Sequence, residues 1–298
     1  VHWVIGRFHH PEWFEKIIQK YEINTVIHAG LFQNPELAEE NVLAAIEGNF
    51  ETTRCLSETA KQQKIKTFLL ISSYQAVRPS EVYGATLRMS ELWIQSLAKS
   101  DSTTTFAVVR SPRLISASDA IIANRTADCI FHRSLKLSIN NKKYCYVSKN
   151  TFCHMVIHSL LQAASGDLLL IDPSAIIAIQ DLETLIANHL GYSIDYSDGQ
   201  INDNRLNEAL LDEDVETDNV MSTNQAGLLR TQEFTLSMRR MQEWVDQLVI
   251  ACTTANLPEV RKILEAGHLG YGTQSEWTDP LWEVQESSNV VPIHRKRH

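Results

Sequence analysis

Neither a GxxGxxG nor a GxxxxGK loop occurs anywhere in these 298 residues. Their absence removes the two commonest backbone cradles for a nucleotide phosphate. Also missing is any run of about 18 apolar residues, so no segment reads as a membrane-spanning helix. The opening Val1-His2-Trp3-Val4-Ile5-Gly6 has no basic stretch leading into an apolar core, which is not the pattern of a secretory leader. It also has no initiator Met, as in a fragment or a processed chain. Cysteine is sparse: Cys55, Cys129, Cys145, Cys153 and Cys252 are odd in number, and no close pair has metal-ligand spacing. That argues against a disulfide framework or a structural zinc site and fits a reducing, cytoplasmic setting. Basic charge is in deficit, 27 Lys and Arg against 36 Asp and Glu, for a net charge of -9. Nucleic-acid affinity comes largely from neutralising phosphates, so this balance opposes it, although net charge leaves room for one local basic pocket.

What is present is an ordinary globular composition, 44% hydrophobic and 21% charged, long enough for one large domain or two smaller ones. Short apolar runs at Thr25–His28, Thr67–Ile71, Phe106–Val109 and Leu168–Ile171 are continuous rather than alternating, as in a parallel sheet covered on both faces. Helical patterns over 50–64, 83–99, 149–164 and 180–189 fall between and after them, the last closed by Gly191, so the order predicts repeated βαβ units. Residues 193–231 are rich in Asp, Asn and Gln and predict mostly loop, with helical hints at 205–211. A helix over 237–252 and another over 258–266, with Pro258 at its start and Gly267 beyond its end, predict a terminal helical hairpin.

The chemistry-bearing block runs from Leu70 to Arg88. A strand ends at Ser72-Ser73, a turn carries Pro79, and a helix begins near Tyr83; ligands of α/β proteins gather at the carboxyl ends of such strands. A hydroxyl from Ser73 and a phenol from Tyr83 could polarise an alcohol or carbonyl, but a phenol of pKa about 10 needs a neighbouring cation to act as a base near neutrality. One helical turn on, where that cation belongs, stands Leu87; Arg88 points about 100° further round. Read alone, Tyr83 and Leu87 serve equally well as half-buried helix residues. His28 ends a strand and reads as a hydrogen-bonded structural histidine, while Ala29-Gly30 after it leaves room for close ligand approach. Asn49 reads as a capping or hydrogen-bonding residue. Neither His9, His10 and His28 nor the i,i+4 pair His154 and His158 has carboxylates at ligand spacing, so no metal site is expected.

With these residues in view, the chain resembles the CapD-like nucleotide-sugar 4,6-dehydratases and 5-epimerases, extended short-chain dehydrogenase/reductases of bacterial polysaccharide biosynthesis. The resemblance runs from about residue 4 to residue 265. It is carried by Val26-Ile27-His28-Ala29-Gly30, by Asn41 to Phe50, and most specifically by Ser72-Ser73-Tyr74-Gln75-Ala76-Val77-Arg78-Pro79 with Val82-Tyr83-Gly84-Ala85-Thr86-Leu87-Arg88. The resemblance implies a UDP-N-acetylhexosamine-class substrate and bound NAD(P). Oxidation at C4 would be followed by loss of water across C5 and C6 and return of the hydride. It makes Ser73 and Tyr83 the catalytic hydroxyls and gives His28, Ala29, Gly30, Asn49 and Arg110 to the cofactor.

The departures are as specific as the matches. The family's lysine is Leu87, and its Asp-Lys pair for elimination is Tyr74-Gln75. The Lys-His pair is Gln33-Asn34, the Phe-Gly-Asn after Arg110 is Ser111-Pro112-Arg113, and the diphosphate motif is reduced to Gly199 through Arg205. Only 27 residues precede His28, too few for the family's glycine-rich first βαβ unit.

The expected fold is therefore α/β: a Rossmann-like parallel sheet lacking that first unit, with a small mixed C-terminal region and terminal helices. Residues 1–165 form the partial core, 166–270 interleave the remaining strand and helices, and 271–298 form an extended or disordered tail. No tightly bound cofactor is expected of this chain, and NAD(P) is expected only if the glycine-rich unit is supplied. Candidate partners are a nucleotide sugar, a second copy or another protein. Three roles stay open: a catalytically degenerate binding or scaffold protein, which the lost lysine and Asp-Lys pair favour; an active dehydratase or epimerase completed by an N-terminal segment; and a ligand-free interaction module.

Overall fold

The structure is a computed structural model that describes the chain except for residues 7–8, 33, 101–102, 117–118, 138–142, 173, 196–219 and 273–298. Gln33, the 199–205 motif, the 205–211 helical hints and the 273–298 part of the predicted tail therefore lie outside the described residues.

The four apolar runs are the four parallel strands of the main sheet: β1 (Thr25–His28), β2 (Thr67–Ser73), β3 (Thr105–Ser111) and β7 (Leu168–Ile171). Three short strands precede β7 in sequence: β4 (Arg113–Leu114), β5 (Ser134–Lys136) and β6 (Lys143–Val147). Four follow it: β8 (Ala175–Ala178), β9 (Ser193–Asp195), β10 (Val220–Ser222) and β11 (Leu228–Thr231). The main sheet has the order β1-β2-β3-β7-β11-β10, with β11 antiparallel to β7 and β10 antiparallel to β11. A three-stranded sheet, β4-β6-β8, and a two-stranded one, β5-β9, complete the small region.

The loop prediction for 193–231 is corrected at its described ends, where β9, β10 and β11 form and two of them extend the main sheet; residues 196–219 of that range lie outside the described residues. Their runs are three or four residues long, and Ser222 and Arg230 interrupt the apolar signal that identified the longer strands.

Both faces of the parallel sheet are covered, as continuous apolar strands require. Phe68, Leu70, Phe106, Val108 and Leu168 face one core; Leu69, Ile71, Ala107, Val109, Leu169 and Ile171 face the other. The first core is closed by α1 (Pro11–Tyr21), the short α2 (Pro35–Glu40) and α3 (Val42–Ala45), α4 (Thr52–Gln62) and α5 (Val82–Ser100). Helix α7 (Lys149–Gln162) covers the second core, while α6 (Ala120–His132) and α8 (Ile179–Leu190) pack with each other beside the small sheets. The predicted terminal hairpin is α9 (Met238–Thr253) and α10 (Leu257–Ala266), and α9 lies against α5. Asn34, Ser148, Ser237 and Asn256 cap helix starts with their side chains, and Gly191 ends α8 at φ 72°, where a side chain would be strained.

Helix α5 is buried along its length from Val82 to Leu97, so its polar residues need partners inside the protein. Glu91, fully buried, has the strongest set. It accepts from Ser72 Oγ on β2 at 2.7 Å and from Arg110 Nε and Nη2 on β3 at 2.8 and 2.7 Å, and it pairs with Arg88 Nη1 at 3.0 Å. Glu233, in the segment between β11 and α9, meets both arginines, with Arg88 Nη1 at 2.7 Å and Arg110 Nη2 at 2.9 Å. Burial by itself would raise the Glu91 pKa; Arg110, then Arg88 and the Ser72 hydroxyl, outweigh it and hold the carboxyl below its ordinary value. Two cations and two anions thus join the sheet, α5 and the C-terminal hairpin. Removing one member strands an unpaired buried charge, so Glu91→Ala should cost about 3–5 kcal/mol. Urea unfolding measures this, and a loss below about 1 kcal/mol would show that the cluster does not hold these layers together.

Candidate functional site

The carboxyl end of β2 presents two serines with different duties, because successive strand residues face opposite ways. Ser72 turns to Glu91 beneath α5. Ser73, half-buried, accepts from the Gln75 N–H at 3.3 Å and caps a single 3-10 turn, Tyr74–Ala76. Chain direction then reverses through Pro79 into α5, whose first turn carries Tyr83. The two helices and the turn meet closely at Gly84: a Cβ there would lie 2.3 Å from the Gln75 carbonyl oxygen and 2.9 Å from Pro79 Cβ. Glycine at this position is what lets the 74–79 turn rest on α5. The Val82 N–H is taken by the Glu39 carboxylate of α2, which ties the same corner to a second helix.

His28 ends β1 and is buried, its Nε2 3.0 Å from Thr53 Oγ1 on α4. The Thr53 hydroxyl donates to the Asn49 carbonyl at 2.6 Å, so it accepts from His28, which fixes the proton on Nε2. Asn49 lies in a π-helical segment, Ile46–Glu51, between α3 and α4. Such segments are rare and bring an extra residue onto one face. Here it aims the Asn49 side chain inward, where Oδ1 accepts from the Phe32 N–H and Nδ2 donates to Thr86 Oγ1 at 2.8 Å. Thr86 in turn donates to the Tyr83 carbonyl at 2.8 Å. One hydrogen-bonded path therefore runs from His28 through Thr53, Asn49 and Thr86 to the backbone of Tyr83.

Of the predicted cofactor residues, His28 and Asn49 share this path, Ala29 and Gly30 are exposed after β1, and Arg110 lies apart in the Glu91 cluster. Leu87 is 1% exposed in the core, and Arg88 beside it is paired with Glu91 and Glu233. Tyr74 is buried and donates to the Ile171 carbonyl of β7 at 2.6 Å. Sequence reasoning missed Thr53, Thr86, Glu91 and Glu233. The i,i+3 pair Arg88 and Glu91, set between the apolar Leu87 and Trp93, is the one signal that could have found the cluster. Among the described residues, no three His, Cys, Asp or Glu side chains are grouped to hold a metal ion, and no helix is long and apolar enough to cross a membrane.

Residues 1–227 match the family described as polysaccharide biosynthesis protein. The capsular polysaccharide biosynthesis protein CapD of Staphylococcus aureus is 34% identical over 107 residues, 36% of this chain and 18% of that protein. The probable polysaccharide biosynthesis protein EpsC of Bacillus subtilis is 36% identical over 106 residues, again 36% of this chain and 18% of the relative. The matched part of the chain is thus under a fifth of the length of these curated relatives. In three dimensions the chain is similar to Pen from Bacillus thuringiensis, with TM-score 0.65 and 19% identity, covering 79% of this chain and 73% of that one. It is also similar to a dTDP-glucose 4,6-dehydratase from Bacillus anthracis in complex with NAD, with TM-score 0.55 and 14% identity, covering 66% and 68%. A UDP-glucose 4-epimerase from Thermotoga maritima with UDP-glucose gives TM-score 0.55 at 12% identity, covering 64% and 70%. At these identities the likeness is one of fold.

Two expectations test this corner. Burial lowers the His28 pKa from 6.5 to about 4, so the unfolded chain binds the proton first and stability falls as pH drops from 6.5 towards 4. Unfolding midpoints across that window should show His28→Gln with a flatter acid limb than the parent chain; equal slopes would remove His28 as the cause. Gly84→Ala would gain roughly 1 kcal/mol of helix propensity in open space. Against the Gln75 carbonyl it should instead lose about 1–3 kcal/mol through overpacking, and a stabilised variant would contradict the close contact.

Proposed function

We propose a role for this chain from one premise: it belongs to the polysaccharide biosynthesis protein family, and its fold is that of nucleotide-sugar dehydratases and epimerases. The role is that of a catalytically degenerate member, acting in the cytoplasm by binding or scaffolding rather than by dehydration. The observation that carries this reading is Leu87, packed in the core one helical turn beyond Tyr83. A phenol becomes a base near neutrality only when a cation stabilises its anion, and α5 offers no cation at that position. The adjacent Arg88 is held by two carboxylates instead. Tyr74 and Gln75 stand where elimination would need an acid and a base, and burial raises the Tyr74 pKa rather than lowering it.

The proposed cofactor residues lend the same support. His28, Asn49 and Arg110 are buried and bonded to protein groups, which leaves the exposed Ala29-Gly30 backbone to approach a dinucleotide. These residues alone do not fit NAD(P). Ser73 and Tyr83 are read as remnants that shape the corner, with a nucleotide sugar or a protein partner as what it meets.

A second reading has its own observation. β1 is the outer strand of the main sheet, and among the described residues no strand pairs with its outer edge. A preceding segment that adds a glycine-rich βαβ unit there would restore a phosphate site, and an active NAD(P)-dependent enzyme with Ser73 and Tyr83 as catalytic hydroxyls becomes the alternative. The full-length protein, incubated with NAD and UDP-N-acetylglucosamine, separates the two. The degenerate reading expects no keto-sugar product by mass spectrometry, and accumulation of a 4-keto-6-deoxy sugar nucleotide would replace it with the second.

A further inference from the structure

The junction between the main sheet's carboxyl edge and the small sheet is where an α/β fold of this kind keeps its ligand crevice. In this chain the Tyr74 side chain lies there. Tyr74 leaves the end of β2, passes the end of β3 and reaches β7, where its hydroxyl donates to the Ile171 carbonyl at 2.6 Å. Tyr74 forms one buried cluster with Leu170 of β7 and Cys145 of β6, the latter from the small sheet, and Leu229 and Val220 pack against that cluster. The hydroxyl's partner is 97 residues away in sequence, so this contact is tertiary and not a by-product of the turn. Nor does the turn itself require an aromatic residue, because Ser73 caps it and the Val77 N–H closes it on the Tyr74 carbonyl.

We infer that Tyr74 is a built-in plug occupying a ring-sized ligand subsite whose walls are Leu170, Cys145 and Leu229 and whose polar contact is the Ile171 carbonyl. The ligand class follows from what the plug supplies: a six-membered ring carrying a hydroxyl that donates one hydrogen bond. This deepens the binding role proposed above and rests on it for the identity of a natural ligand. The subsite itself rests on the Tyr74 contacts alone.

A buried ring can be replaced by a small molecule of the same shape when its removal leaves an apolar cavity with one acceptor. Tyr74→Ala should therefore melt below the parent chain and be stabilised by phenol. A rise of about 3 °C is expected at roughly ten times the phenol dissociation constant. The parent chain, its subsite filled, should show no rise, and neither should Tyr74→Phe. Tyr74→Leu, which keeps more packing and is the fallback if the alanine variant does not fold, should respond to phenol with a smaller rise. No phenol response in any folded truncation, or an equal response in the parent chain, would overturn the plug.

Calorimetry with UDP-N-acetylglucosamine on the same proteins tests the wider reading separately. A gain of about tenfold or more in affinity for Tyr74→Ala over the parent chain supports a nucleotide-sugar crevice behind the plug. A phenol response without that gain leaves the plug standing and counts against nucleotide-sugar binding.

Discussion

A carboxylate can lie beneath α5 at position 91 only because two guanidinium groups and a hydroxyl meet it there. An isolated ion in that place would cost several kcal/mol of lost hydration. Arg110 brings the cations' own demand: with Arg88 it makes two positive charges against one negative, and Glu233 supplies the second. Because Glu233 comes from the stretch between β11 and α9, the terminal hairpin is tied to the parallel sheet by charge as well as by apolar contact. Ser96 adds a direct bond to the Leu236 carbonyl at 3.0 Å on the same seam. The cluster also engages the Arg110 side chain on both sides. A cation at the end of a parallel strand invites assignment to a phosphate, but this one faces inward and closes a neutral foursome.

The parallel strands and the long helices were legible in the sequence because their signal is cumulative. Phe68 to Ile71, Phe106 to Val109 and Leu168 to Ile171 are continuous apolar runs, and α5 announces itself by length. β10 and β11 were not legible, because a strand of three or four residues with a polar member carries no period to detect. The Gly84 contact was half legible: the glycine was visible in its motif, but the carbonyl it accommodates belongs to a turn whose approach only the fold defines. The π-helical segment around Asn49 left no mark, since one inserted residue shifts a helical face without altering its composition. Tyr74 shows the limit most plainly. Its identity as a substitution was readable, whereas its reach to Ile171 depends on two strands that are distant in sequence and next-but-one neighbours in the sheet.

The corner around Ser73 and Tyr83 is therefore built from groups whose partners lie within the protein. His28 donates a hydrogen bond to Thr53, Thr53 to the Asn49 carbonyl, the Asn49 side chain to Thr86, and Thr86 to the Tyr83 carbonyl. Satisfied networks of this kind specify a unique packing. The two clear perturbations here, a histidine held neutral and a phenol held protonated, both follow first from burial.

The outer strand of the main sheet has a consequence for handling the molecule. β1 is only four residues long, and among the described residues no strand pairs with its far side. An unpaired edge of this kind recruits strands from neighbouring molecules as concentration rises. Colloidal behaviour in solution, rather than fold stability, is then the property that this edge governs, and the net charge of -9 is the chief force holding copies apart.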